Sequence, residues 1–249
     1  MLKAERQKLI LTKIISDKKI KTIKLAKKLN LSEDTIRRDL NDLHEKGLIR
    51  KVYGGAFPVT IEPKNIFDVV ITNEVKKNCI ANKAVSLLKD GQVIIISGGT
   101  TNLAFAKLIP TNLKATIYTY SLPIAMQLSQ HPNIDLIFIG GKLQKNAMVT
   151  IGLDVVQVLN NLKADICFMG ASSINTNLGL TEMGYEVSIV KKAMIQASEK
   201  VISMVTSEKL NTKMPYFVCE LNQLNTIITD LNPNDHKLEE YLKSGISIL

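Results

Sequence analysis

Between residues 92 and 229, apolar runs of four to six residues alternate with stretches of helical spacing, and this alternation restricts the chain more than any other feature. The strand candidates are 92–96, 115–119, 134–139, 165–169, 201–205, 216–219 and 226–229. The helix candidates are 73–89, 102–108, 122–129, 153–162 and 185–198. Strands apolar on both faces with helices between them predict an α/β fold with a mostly parallel sheet. At the first of these crossings the sequence reads VIIISGGTTNLA, a strand, a glycine-rich turn and the start of a helix. That arrangement is a common anion cradle, because N–H groups of the first helical turn point outward and the helix dipole favours negative charge.

The first quarter of the chain has a different character. Residues 1–56 carry 15 Lys or Arg against 7 Asp or Glu, a balance of +8, whereas residues 57–249 balance at +1. Such an excess suits a polyanion such as nucleic acid, or simply a lysine-rich solvated face. Ile10 and Ile14 sit one turn apart on a first helix; Thr22 is positioned to cap a second with Leu25, Ala26 and Leu29. After an Asn30–Leu31 turn, Ser32 is positioned to cap a third, with Glu33 and Asp34 well placed in its first turn. Ile36, Leu40 and Leu43 share one face of it, and Gly47 suits its C-terminus. LIRKVYGG then predicts a hairpin tipped with Arg50 and Lys51. Three short helices and a basic hairpin make a small winged helix-turn-helix domain at 1–56, followed by a linker at 57–72 with two prolines and a larger α/β domain at 73–249.

In a helix-turn-helix the second motif helix enters the major groove, and arginine suits guanine's two acceptors as well as phosphate. The alternative is a surface helix whose Arg37 and Arg38 pair with Asp34, Asp39 or Asp42. The whole run LSEDTIRRDLNDLHEKGLIRKVYGGA decides between them, because it resembles the N-terminal signature of the DeoR family of bacterial transcription regulators. The resemblance implies that Ser32, Thr35, Arg37, Arg38, Arg50 and Lys51 face double-stranded operator DNA.

It continues through S-G-G-T-T (97–101), T-Y-S-L-P (119–123), G-G-K (140–142), D-x-x-F-x-G-A (165–171), G-L-T (179–181), E-V-S-I-V-K-K-A-M (186–194), S-E-K (207–209) and I-I-T-D (227–230). In this family the second domain is similar to ribose-5-phosphate isomerases and CoA transferases and usually senses a phosphorylated sugar. Carried onto this chain, the effector-binding residues are Ser97, Gly98, Gly99, Thr100, Thr101, Tyr120, Ser121, Gly170, Glu186 and Lys209. Glycines let a ligand approach the backbone, threonines add hydroxyls, and Lys209, in a loop after a strand, supplies a point charge for phosphate. The family's usual D-S-G-T-T, T-N and D-x-S-K become Ser97-Gly98, Thr119-Tyr120 and Val205-Thr206-Ser207-Glu208-Lys209. Three altered polar positions imply an effector unlike that of better-matching relatives, or a degenerate pocket.

An enzyme of isomerase or CoA-transferase type with a DNA-binding head is the competing expectation. Isomerisation needs a carboxylate to move the proton, and the isomerases place G-A-D-E where Gly170-Ala171-Ser172-Ser173 stands here. Glu182 remains as one nearby carboxylate, of the solvated loop kind, so no catalysis is expected. His44, His131 and His236 are isolated, with His44 expected at the surface, and Cys79, Cys167 and Cys219 lie far apart, so no metal, cofactor or disulfide framework is expected either. The N-terminus has no signal-peptide core and no run spans a bilayer, which leaves the reducing cytoplasm as the expected compartment. A homodimer or homotetramer is expected, since one chain offers one recognition helix.

Overall fold

The computed structural model describes residues 3–17, 20–45, 48–52, 54–58 and 73–249. The chain divides into two compact units, Met1–Pro63 and Lys64–Leu249. Gly47 lies outside the described residues, as does the expected linker except for its first two positions.

The first unit runs α1 (Lys3–Asp17), β1 (Ile20–Lys21), α2 (Thr22–Leu29), α3 (Glu33–Glu45), β2 (Ile49–Val52) and β3 (Gly55–Pro58). Ile10, Ile14, Leu25, Ile36, Leu40, Leu43 and Ile49 bury together. This is the stripe that the helical spacing demanded. Asn30 adopts φ 54 to end α2, and Leu31 N donates back to Ala26 O at 3.0 Å. Thr22 does not cap α2. A two-residue strand, β1, leads straight into the helix, so Thr22 is its first residue, buried, with its N–H donating to Gly54 O at 2.9 Å. The sheet order is β1-β3-β2, all antiparallel. Arg50 and Lys51 lie along β2, opposite Phe57 and Ala56, rather than at the hairpin tip. A Cβ at Gly55 would stand 2.1 Å from Ile20 O, so the close approach of β1 is what requires glycine there.

The second unit contains α4 (Glu74–Val85), β4 (Val93–Ile96), α5 (Thr100–Leu108), β5 (Ala115–Thr119), α6 (Leu122–Leu128), β6 (Ile134–Phe138), β7 (Lys142–Gln144), β8 (Val149–Ile151) and α7 (Leu153–Asn160). It continues with β9 (Ala164–Gly170), β10 (Ser173–Asn175), β11 (Gly179–Glu182), α8 (Tyr185–Gln196), β12 (Ser198–Met204), β13 (Tyr216–Cys219), β14 (Thr226–Ile228), α9 (Glu239–Lys243) and β15 (Ser247–Ile248). Seven strands form one parallel sheet in the order β15-β14-β12-β9-β4-β5-β6. Ile94, Ile96, Ile166 and Phe168 pack on one face with α4, α5 and α6. Ile95, Cys167 and Met169 pack on the other with α7 and α8. Burial on both faces explains the unbroken apolar runs. The run at 216–219 is the exception: as β13 it joins an antiparallel sheet, β10-β11-β13, away from the parallel one.

Candidate functional site

In the first unit, the N-terminal end of α3 is built by Ser32, whose Oγ accepts from Thr35 N at 3.2 Å and shares a hydrogen bond with Thr35 Oγ1 at 2.8 Å. Arg37 and Arg38 project from the exposed face and pair with Glu33 at 3.6 Å and Asp34 at 3.3 Å. Exposed i,i+4 pairs of this kind are weak, so both guanidinium groups can exchange a carboxylate for a phosphate or base at little cost. Lys51 donates to Asn41 Oδ1 and so ties the wing strand to the same helix. Arg50 shares that strand; its side chain lies outside the described residues. His44, exposed as expected, has its Nδ1 3.0 Å from Ile49 O.

Asp39 departs from the sequence expectation. It is 1% exposed and accepts from Arg6 Nε at 2.5 Å and Nη2 at 3.2 Å, with Gln7 Nε2 at 3.4 Å. Asp39 therefore anchors α3 to α1 and is no partner of the surface arginines. Its spacing among Ile36, Leu40 and Leu43 carried that signal, since all four share one face.

In the second unit, the parallel sheet reverses direction of growth between β4 and β9, where β4-β5-β6 runs one way and β9-β12-β14-β15 the other. Ligand sites of α/β sheets form beyond the strand carboxyl ends at such a switch point. Ser97 to Thr101 follow β4 there, and Gly170 ends β9. Ser97 is fully buried: its Oγ accepts from Asn102 Nδ2 at 2.7 Å and Gly170 N at 3.1 Å, so it braces the turn. A Cβ on Gly98 would meet Val149 Cγ1 at 2.4 Å, whereas on Gly99, at φ +113, it would meet nothing within 4 Å. Gly98 thus makes room for the protein's own side chain, and Gly99 is the glycine that leaves open space. Thr100 and Thr101 form the first turn of α5, whose N-terminus has no side-chain cap. Asn102 Oδ1 and Ser121 Oγ are buried without a hydrogen-bond partner, an uncommon state for such atoms. Tyr120 is buried; burial first, and then the charge of Glu182, push its phenol above the ordinary range, so it stays neutral.

Lysines dominate the remaining charge. Lys209 ends a single 3-10 turn, Ser207–Lys209, after β12, and its Nζ donates to Ala171 O at 2.8 Å. Burial lowers its pKa, and the nearby charges of Lys191 and Lys77 lower it further against Glu182 and Glu208. Lys191 on α8 is buried; its Nζ donates to Gly170 O at 2.5 Å and pairs with Glu182 Oε1. Lys77 on α4 is buried too, and burial lowers its pKa against the pull of Glu208. Glu182 is no solvated loop residue. It ends β11 at 5% exposure, takes Ser172 N at 3.2 Å on Oε1 and Ser172 Oγ on Oε2, and pairs with Lys191. Burial pushes its carboxyl up, but Lys191 and Ser172 overcome this and hold it below the ordinary value. Among the described residues, the partner of Glu186 is Lys142 of β7 at 3.7 Å. Sequence reasoning missed Lys77 and Lys191 as members of this cluster. Each is a lysine inside a buried helical stripe, Lys77 with Ile80, Ala81 and Ala84 and Lys191 with Val190 and Met194, and that placement was the signal.

Among the described residues, no group of three His, Cys, Asp or Glu could hold a metal ion, and no helix is long and apolar enough to cross a membrane.

Residues 6–61 match the family described as DeoR-like helix-turn-helix domain, and residues 72–231 match the DeoR C terminal sensor domain. The chain is 30% identical over 250 residues to the HTH-type transcriptional regulator GolR of Listeria innocua, covering 100% of this chain and 98% of that one. It is 32% identical over 251 residues to the HTH-type transcriptional repressor GlcR of Bacillus subtilis, with 100% and 96% covered. Among solved structures, ribose 5-phosphate isomerase A from Methanocaldococcus jannaschii is similar over 56% of this chain and 55% of that one, at 23% identity and a TM-score of 0.42.

Proposed function

The chain belongs to the DeoR family of helix-turn-helix transcription regulators, and from that premise we propose that it represses a carbohydrate-metabolism operon in response to a phosphorylated sugar or related metabolite. Ser32, Thr35, Arg37, Arg38, Arg50 and Lys51 contact the operator, with α3 in the major groove. The effector occupies the end of the sheet at Gly99–Thr101, with Lys77 and Lys209 facing its phosphate and Ser121 its hydroxyl groups. The observation that carries this reading is that buried Lys209 lies close enough to Lys191 and Lys77 to be repelled by both, with Lys191 paired to the buried carboxylate of Glu182 and Lys77 drawn by Glu208. Partly desolvated ammonium groups that repel one another are stabilised by an incoming anion, and a neutral sugar offers nothing equivalent.

Catalysis is not part of the proposed role. Both oxygens of Glu182 are engaged by Ser172 and Lys191, which leaves the carboxylate ill suited to serve as a base. The protein acts as a symmetric dimer or tetramer, which presents two recognition helices to a two-fold operator.

Thermal-shift measurements with pentose and hexose monophosphates, the parent sugars and inorganic phosphate test the effector reading. A phosphorylated compound at 100 times its dissociation constant stabilises the chain by about 2.7 kcal/mol, and the parent sugars do not. No shift with any phosphorylated compound would leave the second unit as an oligomerisation module.

A further inference from the structure

The single turn Ser207–Lys209 is held at both ends by different parts of the second unit. At its end, Lys209 reaches the lysine cluster and bonds Ala171 O at 2.8 Å. At its start, Ser207 donates through N and Oγ to Asp230 at 2.6 and 2.9 Å. Lys76 on the first turn of α4 closes over it: its Nζ donates to Ser207 Oγ at 2.7 Å and Glu208 Oε2 at 3.1 Å, and lies 3.4 Å from Asp230 Oδ2. Asn73 Nδ2 donates to the other Glu208 oxygen at 2.7 Å, and Asn73 itself sits at φ 64, a left-handed conformation that asparagine adopts more readily than most side-chain-bearing residues.

Resting on the reading that the lysine cluster holds the effector, we propose that Lys76 is the positioning residue that couples effector occupancy to DNA affinity, by locking the turn Ser207–Lys209 to the start of α4. Asn73 is the first described residue after 59–72, the segment through which the chain joins the DNA-binding unit. An anion drawing on Lys209 exchanges the Ala171 carbonyl for phosphate oxygen. Glu208 is the residue before Lys209 in the same turn, so any adjustment is delivered to Asn73 and Lys76 directly. Lys77, adjacent to Lys76 on the same helical turn, feels the same anion. The Lys76–Glu208 pair is half exposed, with side chains at 40% and 44%, so it contributes orientation more than stability. A chain lacking it still folds.

The test uses the full chain, an operator recovered by selection from a random duplex pool, and the sugar monophosphate giving the largest thermal shift. In the wild type this compound changes operator affinity by about 5- to 150-fold, the usual range of such coupling. In Lys76→Met the thermal shift and the ligand-free operator affinity stay within twofold of wild type, and the ligand-induced change falls below twofold. Lys76→Arg restores it. A response of wild-type size in Lys76→Met overturns the coupling role, and so does loss of the thermal shift, which would make Lys76 a ligand-binding residue. If no phosphorylated compound shifts the wild type, the effector reading fails and the coupling inference falls with it.

Discussion

At the scale of single residues, Glu182 and Lys191 face each other with side chains each 6% exposed. Breaking a buried pair leaves one charge in a medium that cannot solvate it, whereas replacing both members by apolar groups avoids that cost. Lys191→Met alone is expected to destabilise the second unit by about 3–5 kcal/mol, and Glu182→Met with Lys191→Met to recover most of it, as read by urea unfolding. Glu208 provides a pH dependence. Burial pushes its carboxyl up, but its own backbone N–H and the side chains of Lys76 and Asn73 bring it down from 4.5 to about 2. A depressed folded pKa contributes stability above about pH 4.5 that is lost as the pH falls toward 2. Thermal melts across that window should show a shallower acid loss for Glu208→Gln than for the wild type; identical slopes would remove Glu208 from the account.

At the scale of elements, the wing depends on a strand two residues long. β1 pairs Ile20 with Ala56 and Lys21 with Gly55, and the carbonyl of Ile20 occupies the space a Gly55 side chain would need. Gly55→Ala is therefore expected to release β1, with faster amide exchange at Thr22 and Ala56 and weaker operator binding; unchanged exchange at both would count against the strand's role. The recognition helix is fixed from below in a similar way. Asp39 binds Arg6 of α1, and the neighbouring Asp42 takes Gln7 at 2.9 Å and Lys3 at 2.6 Å. The motif R-R-D-L thus splits by face: its arginines point to solvent, its aspartate and leucine into the unit.

At the scale of the whole molecule, the charge asymmetry becomes a measurable quantity. The +8 balance of residues 1–56 predicts operator binding that weakens steeply with salt, because each neutralised phosphate releases counterion. Lys51→Ala should reduce the slope of log K against log salt by about 1 while weakening selected and unrelated sequences alike. A loss confined to the selected operator would assign Lys51 to base readout.

The sequence by itself determined the two kinds of unit, the helix-turn-helix pattern and most strands of the parallel sheet. Each of these rests on near-neighbour periodicity, the i, i+4 spacing of Ile36 and Leu40 or the unbroken run Val93–Ile96. Ser32 as the cap of α3 was equally legible, since its bond to Thr35 spans three residues. Only the tertiary structure decided the meaning of residues whose partners are remote. Asp39 turned inward because Arg6 lies 33 positions away, Ser97 became a brace through Gly170, 73 positions on, and Lys76 met Glu208 across 132. A charged side chain states its cost of burial in the sequence but not the identity of the group that offsets it. That group is chosen by the topology of the sheet.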